Sequence, residues 1–216
     1  SISHRVIMLA SIIKGKSKIK NLSECEDVQA TIKCLQDCHV DIIKQKDSID
    51  VCGGTLSDPN NFLDAKNSGS TVRMLLGLLA GQNISANFVG DKSLSARPMK
   101  RIIDPLLKLG CEIKSNNHYL PIHLKSGVKN SSQIHLKLPS AQVKTAVLLS
   151  GLKLDNMLSV DCELESRDHT ERLLKYLKFN FSRHNNVFKI KNSKHMKPLN
   201  FHVPGDISNA SFIVAA

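Results

Sequence analysis

Three segments of the 216-residue sequence set hydroxyls and small residues just ahead of an apolar run: Ser1-Ile2-Ser3-His4-Arg5, Asn67-Ser68-Gly69-Ser70-Thr71-Val72-Arg73 and Pro139-Ser140-Ala141-Gln142-Val143-Lys144. Each run carries a cation near its start (Arg5, Arg73 and Lys144, which stand 68 and 71 residues apart). If the runs are helices, their first backbone N–H groups lack intrahelical partners and sit at the positive end of the helix dipole. Such a start takes a phosphate or carboxylate. For one helix, Ser and Asn there are adequately explained as N-caps. Three equivalent starts, each with a cation and all at one end of a domain, would converge on a small polyanion.

The elements that must position these starts form a repeat of about seventy residues. Apolar helices are expected over Ser3–Gly15, Ser70–Gly81 and Ala141–Gly151, each closed by a glycine. They are apolar nearly all round (Val6-Ile7-Met8-Leu9-Ala10, for example), and a helix without a polar face belongs inside. A short strand and an amphipathic second helix follow each: Asp27–Cys38, Arg97–Leu109 and Asp168–Leu177. Next come β-like segments at Val40–Ile43, Cys111–Lys114 and Phe179–Arg183, then strands at Ile49–Cys52, Ile122–Leu124 and Val187–Ile190. Gly110 stands where a helix takes its left-handed C′ residue; His39 and Lys178 occupy that place in the other copies. The pattern is α/β: three βαβαββ repeat units with buried, parallel helices and sheets outside. Units that cannot bury their apolar faces separately fold as one domain.

Composition narrows the function classes. A hydrophobic fraction of 41% fits a globular chain, and no apolar run approaches the roughly 20 residues of a membrane span. With no leader segment evident, the chain reads as soluble and cytoplasmic, without membrane partners. Six cysteines without CxxC spacing read as reduced, mostly packed thiols, and nine histidines without HxxxH or HExxH pairs suggest no metal site and no cofactor. The net charge of +11 fits either nucleic-acid binding or a lysine-rich surface around an anion pocket. With aromatics at 4% and dispersed lysines, the anion pocket is the better reading, and no nucleic-acid partner is expected. Asp168-His169 invites a catalytic dyad, but Asp168 with Glu171 three residues on reads better as a capping box.

The three starts, together with Arg97-Pro98-Met99, Ser166-Arg167-Asp168-His169-Thr170-Glu171 and Val203-Pro204-Gly205-Asp206-Ile207-Ser208, resemble the 5-enolpyruvylshikimate-3-phosphate (EPSP) synthase family in order and spacing, over essentially the whole sequence. That family transfers the enolpyruvyl group of phosphoenolpyruvate to the 5-hydroxyl of shikimate 3-phosphate, in the shikimate pathway to the aromatic amino acids. The resemblance implies that Ser1 and Arg5 hold the shikimate carboxylate, and that Ser140, Ala141, Ser166 and Arg167 bind the 3-phosphate side. It implies that Gln142 packs beside the ring and reaches phosphoenolpyruvate, which Gly69 and Arg97 also face. Arg73 is expected to pair with Asp206 across a hinge. The Gly69 position implies a glyphosate target. Ser70 departs from the family's usual Thr but keeps the hydroxyl, and the basic stretch Lys189–Lys197 matches no family role.

The resemblance also implies that residues 1–203 are one of two domains, with 204–216 the hinge and the start of the crossing to the second. The proton-transfer groups would then lie outside this sequence, so no catalytic residue is expected here and this half alone should be inactive. The expected partners are both substrates and the second domain, in a monomeric whole enzyme. Two alternatives stand beside this reading. One is the related enolpyruvyl transferase acting on UDP-N-acetylglucosamine, whose loop cysteine is missing from Asp91–Ala96. The other is a non-catalytic basic binding module.

Overall fold

The computed structural model describes residues 2–130, 133–193 and 196–205. In chain order the first repeat comprises α1 (Ile2–Ile12), β1 (Gly15–Lys20), α2 (Glu26–Asp37), β2 (Asp41–Lys44) and β3 (Ser48–Gly53). The second comprises β4 (Leu63–Asp64), α3 (Gly69–Gln82), β5 (Ala86–Val89), α4 (Lys92–Ser95), α5 (Lys100–Lys108), β6 (Glu112–Asn116) and β7 (Tyr119–Ser126). The third comprises β8 (Gln133–Leu136), α6 (Ala141–Ser150), β9 (Leu158–Cys162), α7 (His169–Tyr176), β10 (Phe181–His184) and β11 (Val187–Ile190), and β12 (Asn200–His202) ends the series.

Each repeat builds one four-stranded sheet in the same spatial order: β12-β1-β3-β2, β4-β5-β7-β6 and β8-β9-β11-β10. The leading strand of each is parallel to its neighbour, as β4 is to β5 and β8 to β9. In the first repeat that place is taken from the far end of the sequence. β12 pairs in parallel with β1, Lys18 opposite Asn200, and the Leu199 N–H donates to Ser17 Oγ at 3.0 Å. β7, β8 and β9 alternate more and less buried residues, so one face of their sheets meets the core and the other faces outward, whereas β3 buries three residues in a row.

The core is the space shared by α1, α3 and α6. Val6, Ile7, Met8, Leu9 and Ala10 of α1 are all fully buried, as are Leu75, Leu76, Leu78 and Leu79 of α3 and Ala146, Val147 and Leu148 of α6. Burying each large side chain contributes about 1.5–3 kcal/mol. The second helices are amphipathic and end alike. His39, Gly110 and Lys178 have φ of 65°, 81° and 58°, and the next residue's N–H bonds to Leu35, Leu106 or Leu174 O at 3.1, 3.1 and 2.9 Å. This is the Schellman closure expected at Gly110, and two non-glycine residues adopt it.

The glycines expected to end the buried helices behave differently. α3 runs through Gly81 and ends at Asn83 (φ 56°), with the Ile84 N–H on Leu79 O at 3.0 Å. Gly81 and Gly77 lie one turn apart and admit α6. A Cβ at Gly77 would stand 2.2 Å from Ala146 O, and one at Gly81 would stand 2.6 Å from Ser150 O. Gly151 has an ordinary right-handed conformation, φ −85°, and leaves room for Ile190. The obstruction at Gly77 is helix backbone, which cannot swing aside. Gly77→Ala should therefore cost about 1–3 kcal/mol or more. It should lower the urea midpoint clearly, whereas Gly205→Ala, with nothing within 4 Å, should leave it in place.

Candidate functional site

The starts of α3 and α6 meet through side chains. Ser68 caps α3, its Oγ accepting from Thr71 N at 3.2 Å, and Ser140 caps α6, accepting from Val143 N at 3.3 Å. Gln142, in the first turn of α6, reaches across to α3. Its Oε1 accepts from Arg73 Nη1 at 2.9 Å and its Nε2 donates to Ser70 Oγ at 2.8 Å. Gly69 lies directly against this contact: a Cβ there would stand 2.7 Å from Arg73 Nη1. Arg97 precedes α5 rather than opening it. Its Nη2 donates to Asn67 Oδ1 at 2.7 Å and Ser93 Oγ at 3.3 Å, and Asn67 in turn donates to Asp91 Oδ2 at 2.7 Å.

Burial, and then the nearby charges of Arg97 and Arg101, lower the pKa of Arg73. Among the described residues, none of these three arginines has a carboxylate within ion-pair distance. Arg101, which sequence reasoning passed over, also lines a cavity of about 210 Å³ together with Ser140, Val143 and Leu138.

The start of α1 is held from two sides. Arg5 Nε donates to Thr170 Oγ1 at 2.8 Å and Nη2 to Thr145 Oγ1 at 3.2 Å, tying α1 to α7 and α6. Burial, partly offset by the Glu171 charge, pulls Arg5 down to about 10, so it stays charged at neutral pH. On the other side, His4 Nδ1 lies 2.7 Å from Thr31 Oγ1, which lies 2.7 Å from Thr71 Oγ1, which donates to Ser68 Oγ at 2.7 Å. This chain joins α1, α2 and α3. Burial above all lowers His4 to about 3. Sequence reasoning missed these four threonines; the available signal was a hydroxyl at an inward position of a helix.

Lys144, the third of the equivalent cations, is neutralised within the protein. It forms an ion pair with Glu171, both side chains being 4% exposed, and its Nζ lies 5.0 Å from the Phe188 ring centroid. This corrects the capping box: Asp168 makes no side-chain cap bond, and Glu171 turns inward. A buried ammonium left without a counter-charge would cost more than an uncapped N–H exposed to water.

Ser166 and the exposed Arg167 border a cavity of about 160 Å³ with Lys144, Arg183 and Phe188. Ser140 therefore faces one cavity and Ser166 with Arg167 the next, and α6 contributes to both. Ala141, half-buried, lies between Ser140 and Gln142. Ser1 and Asp206 lie outside the described residues, so the expected Arg73–Asp206 pair does too. A wider hollow of about 750 Å³, lined by Asp155, Lys178, Asn180 and Lys191 among others, contains none of the expected site residues.

The EPSP synthase (3-phosphoshikimate 1-carboxyvinyltransferase) profile matches residues 1–216. The chain belongs to the EPSP synthase family. The 3-phosphoshikimate 1-carboxyvinyltransferase of Alkaliphilus metalliredigens is 41% identical over 220 residues, and that of Clostridium tetani is 37% identical over 219. Both alignments take in 100% of this chain but only 52% and 50% of the relative. A solved EPSP synthase from Acinetobacter baumannii superposes with a TM-score of 0.89 at 34% identity, over 98% of this chain and 50% of that one. The chain thus spans about half the length of the relatives it matches, and its three-sheet architecture is that of the family.

The two buried polar systems make separate predictions. Glu171→Gln should destabilise the protein by about 3–5 kcal/mol, because it strands the Lys144 charge. The double change Lys144→Met with Glu171→Leu should recover much of that loss in urea unfolding. His4 in the fold resists a proton that the unfolded chain accepts near pH 6.5. Stability should therefore fall as pH drops from about 6.5 toward 3, with a slope approaching about 1.4 kcal/mol per pH unit. His4→Gln should flatten that part of a stability–pH curve.

Proposed function

We propose that this chain is the shikimate 3-phosphate-binding half of a 3-phosphoshikimate 1-carboxyvinyltransferase. The observation that carries the reading is the cluster of Arg73, Arg97 and Arg101 at the starts of α3 and α5. Like charges set together, with no carboxylate within ion-pair distance among the described residues, raise the local potential for an anion. Membership of the family, and the match of its motifs to these helix starts, support reading the anions as shikimate 3-phosphate and phosphoenolpyruvate.

In this reading Ser1 and Arg5 hold the shikimate carboxylate, and the 3-phosphate is bound by Ser140 and Ala141 on one side of the α6 start and by Ser166 and Arg167 on the other. Gln142 lies between the substrates, and Gly69 with Arg97 faces phosphoenolpyruvate. The 5-hydroxyl oxygen adds to C2 of phosphoenolpyruvate and gives up its proton, while the methylene carbon takes one. The tetrahedral adduct then loses a methyl proton and inorganic phosphate, which restores the double bond. This half supplies clamping and orientation of two polyanions. The groups that move protons, and the return side of the hinge at 204–216, belong to a second domain. The whole enzyme is taken to be a cytoplasmic, glyphosate-sensitive monomer that needs no metal or cofactor.

The test is binding of shikimate 3-phosphate and of shikimate, by calorimetry, to the chain and to Arg167→Ala. Charge-assisted hydrogen bonds of about 1.5–3 kcal/mol predict a loss of about ten- to a hundredfold for the phosphorylated ligand. Shikimate, bound weakly from the start, should scarcely change. Equal losses for both would mean that Arg167 acts through the fold, and the phosphate assignment would fail.

A further inference from the structure

Gln142 is fixed at both ends of its amide. A guanidinium has only donors, so the Gln142 atom facing Arg73 Nη1 at 2.9 Å must be the carbonyl oxygen. The amide nitrogen then points to Ser70, donating to Oγ at 2.8 Å, and its second hydrogen has no partner among the described residues. The edge of Gln142 left without a partner among the described residues is thus a donor. An amide turned over would present its oxygen instead, which repels an anion.

What leaves room for the guanidinium is the missing side chain at Gly69. A Cβ there would stand 2.7 Å from Arg73 Nη1 and 3.4 Å from its Cζ, with Leu94 Cδ1 at 3.6 Å. Gly69 has no left-handed conformation that demands glycine. The nearest atoms are the far end of a flexible side chain rather than backbone, so the fold can accept a methyl group by moving the guanidinium. That movement would release Gln142 Oε1.

We infer that Arg73 is a positioning residue that locks the Gln142 amide with its N–H outward, and that Gly69 is glycine because the Arg73 guanidinium occupies the space a side chain would take. The locked N–H is aimed at an anionic group of phosphoenolpyruvate. That ligand rests on the function proposed above; the locking does not. A substitution at Gly69 would thus act on the ligand through two side chains as well as by its own bulk.

The side-chain amide of Gln142 in the ¹⁵N-labelled chain reports the locking without any ligand. Gly69→Ala should shift both Gln142 amide protons while leaving the unfolding midpoint in place. Arg73→Leu should shift them the same way, Gly69→Ala should add little in that background, and Arg73→Lys, which keeps a donor, should restore part of the original position. If Arg73→Leu does not fold, Gly69→Ala and Arg73→Lys decide the question between them. Unchanged Gln142 resonances in Gly69→Ala, or effects of the two substitutions that simply add, would overturn the inference.

Titration with phosphoenolpyruvate then follows the same resonances. Loss of one aligned hydrogen bond predicts binding weakened roughly three- to tenfold by either substitution, with the methyl group's bulk adding to the effect of Gly69→Ala and the lost charge adding to that of Arg73→Leu. If phosphoenolpyruvate leaves the Gln142 amide of the unsubstituted chain unmoved, the ligand assignment falls while the locking stands.

Discussion

A charged guanidinium buried inside a small domain constrains everything around it. Arg5 is 4% exposed and remains cationic at neutral pH, so it needs hydrogen-bond acceptors at fixed positions. Two of them are hydroxyls 140 and 165 residues away in sequence, Thr145 and Thr170. Arg5 is satisfied by them only when the third repeat has folded against the first. The strand β12 makes the same demand from the other end of the repeat, closing the first sheet with residues from beyond the third. The three repeats are therefore interlocked by polar requirements as well as by apolar packing. The helix starts that carry the motifs come together as a consequence.

Within this frame the three equivalent cations have diverged. Lys144 is paired with Glu171 and lies against an aromatic face, a structural arrangement in which both side chains are almost wholly buried. Arg5 is held by threonines and shares its surroundings with Arg167, whose charge helps to lower it. Arg73 sits beside two further arginines and touches a neutral amide. A repeated sequence feature thus serves one repeat as a buried ion pair and another as part of a cluster of arginines with no ion pair among the described residues. The difference lies in what the neighbouring second helix offers: Glu171 on α7, but Arg101 on α5.

Much of this was readable from the residues. Helices apolar on every side could only be internal, and the spacing of Arg5, Arg73 and Lys144 announced a repeat. The C′ positions His39, Gly110 and Lys178 are all left-handed, as their placement implied. The leading strand of each unit was implied by the repeat, but β4 and β12 could not be placed, since they span two and three residues, too short for any alternation to show. Gly81 looked like a terminator because glycine commonly is one; that it admits α6 depends on a partner helix about seventy residues away. Glu171 fitted a capping box locally and was claimed instead by a buried lysine, a contest that only tertiary structure decides. The burial of Cys34, Cys38 and Cys111, which pushes their thiols up to about 12, agrees with their reading as packing residues.

The central claim is that the face built from the helix starts, and no other basic surface, is where the substrate binds. A titration of the ¹⁵N-labelled chain with shikimate 3-phosphate, followed by backbone amide shifts, tests it most directly. The perturbed amides should gather at Ser140–Lys144, at Ser166–Asp168 and at the first turn of α1, and should saturate together. Shifts centred instead on Lys189–Lys197 and the hollow beside it, or spread thinly over all the lysines, would contradict the account.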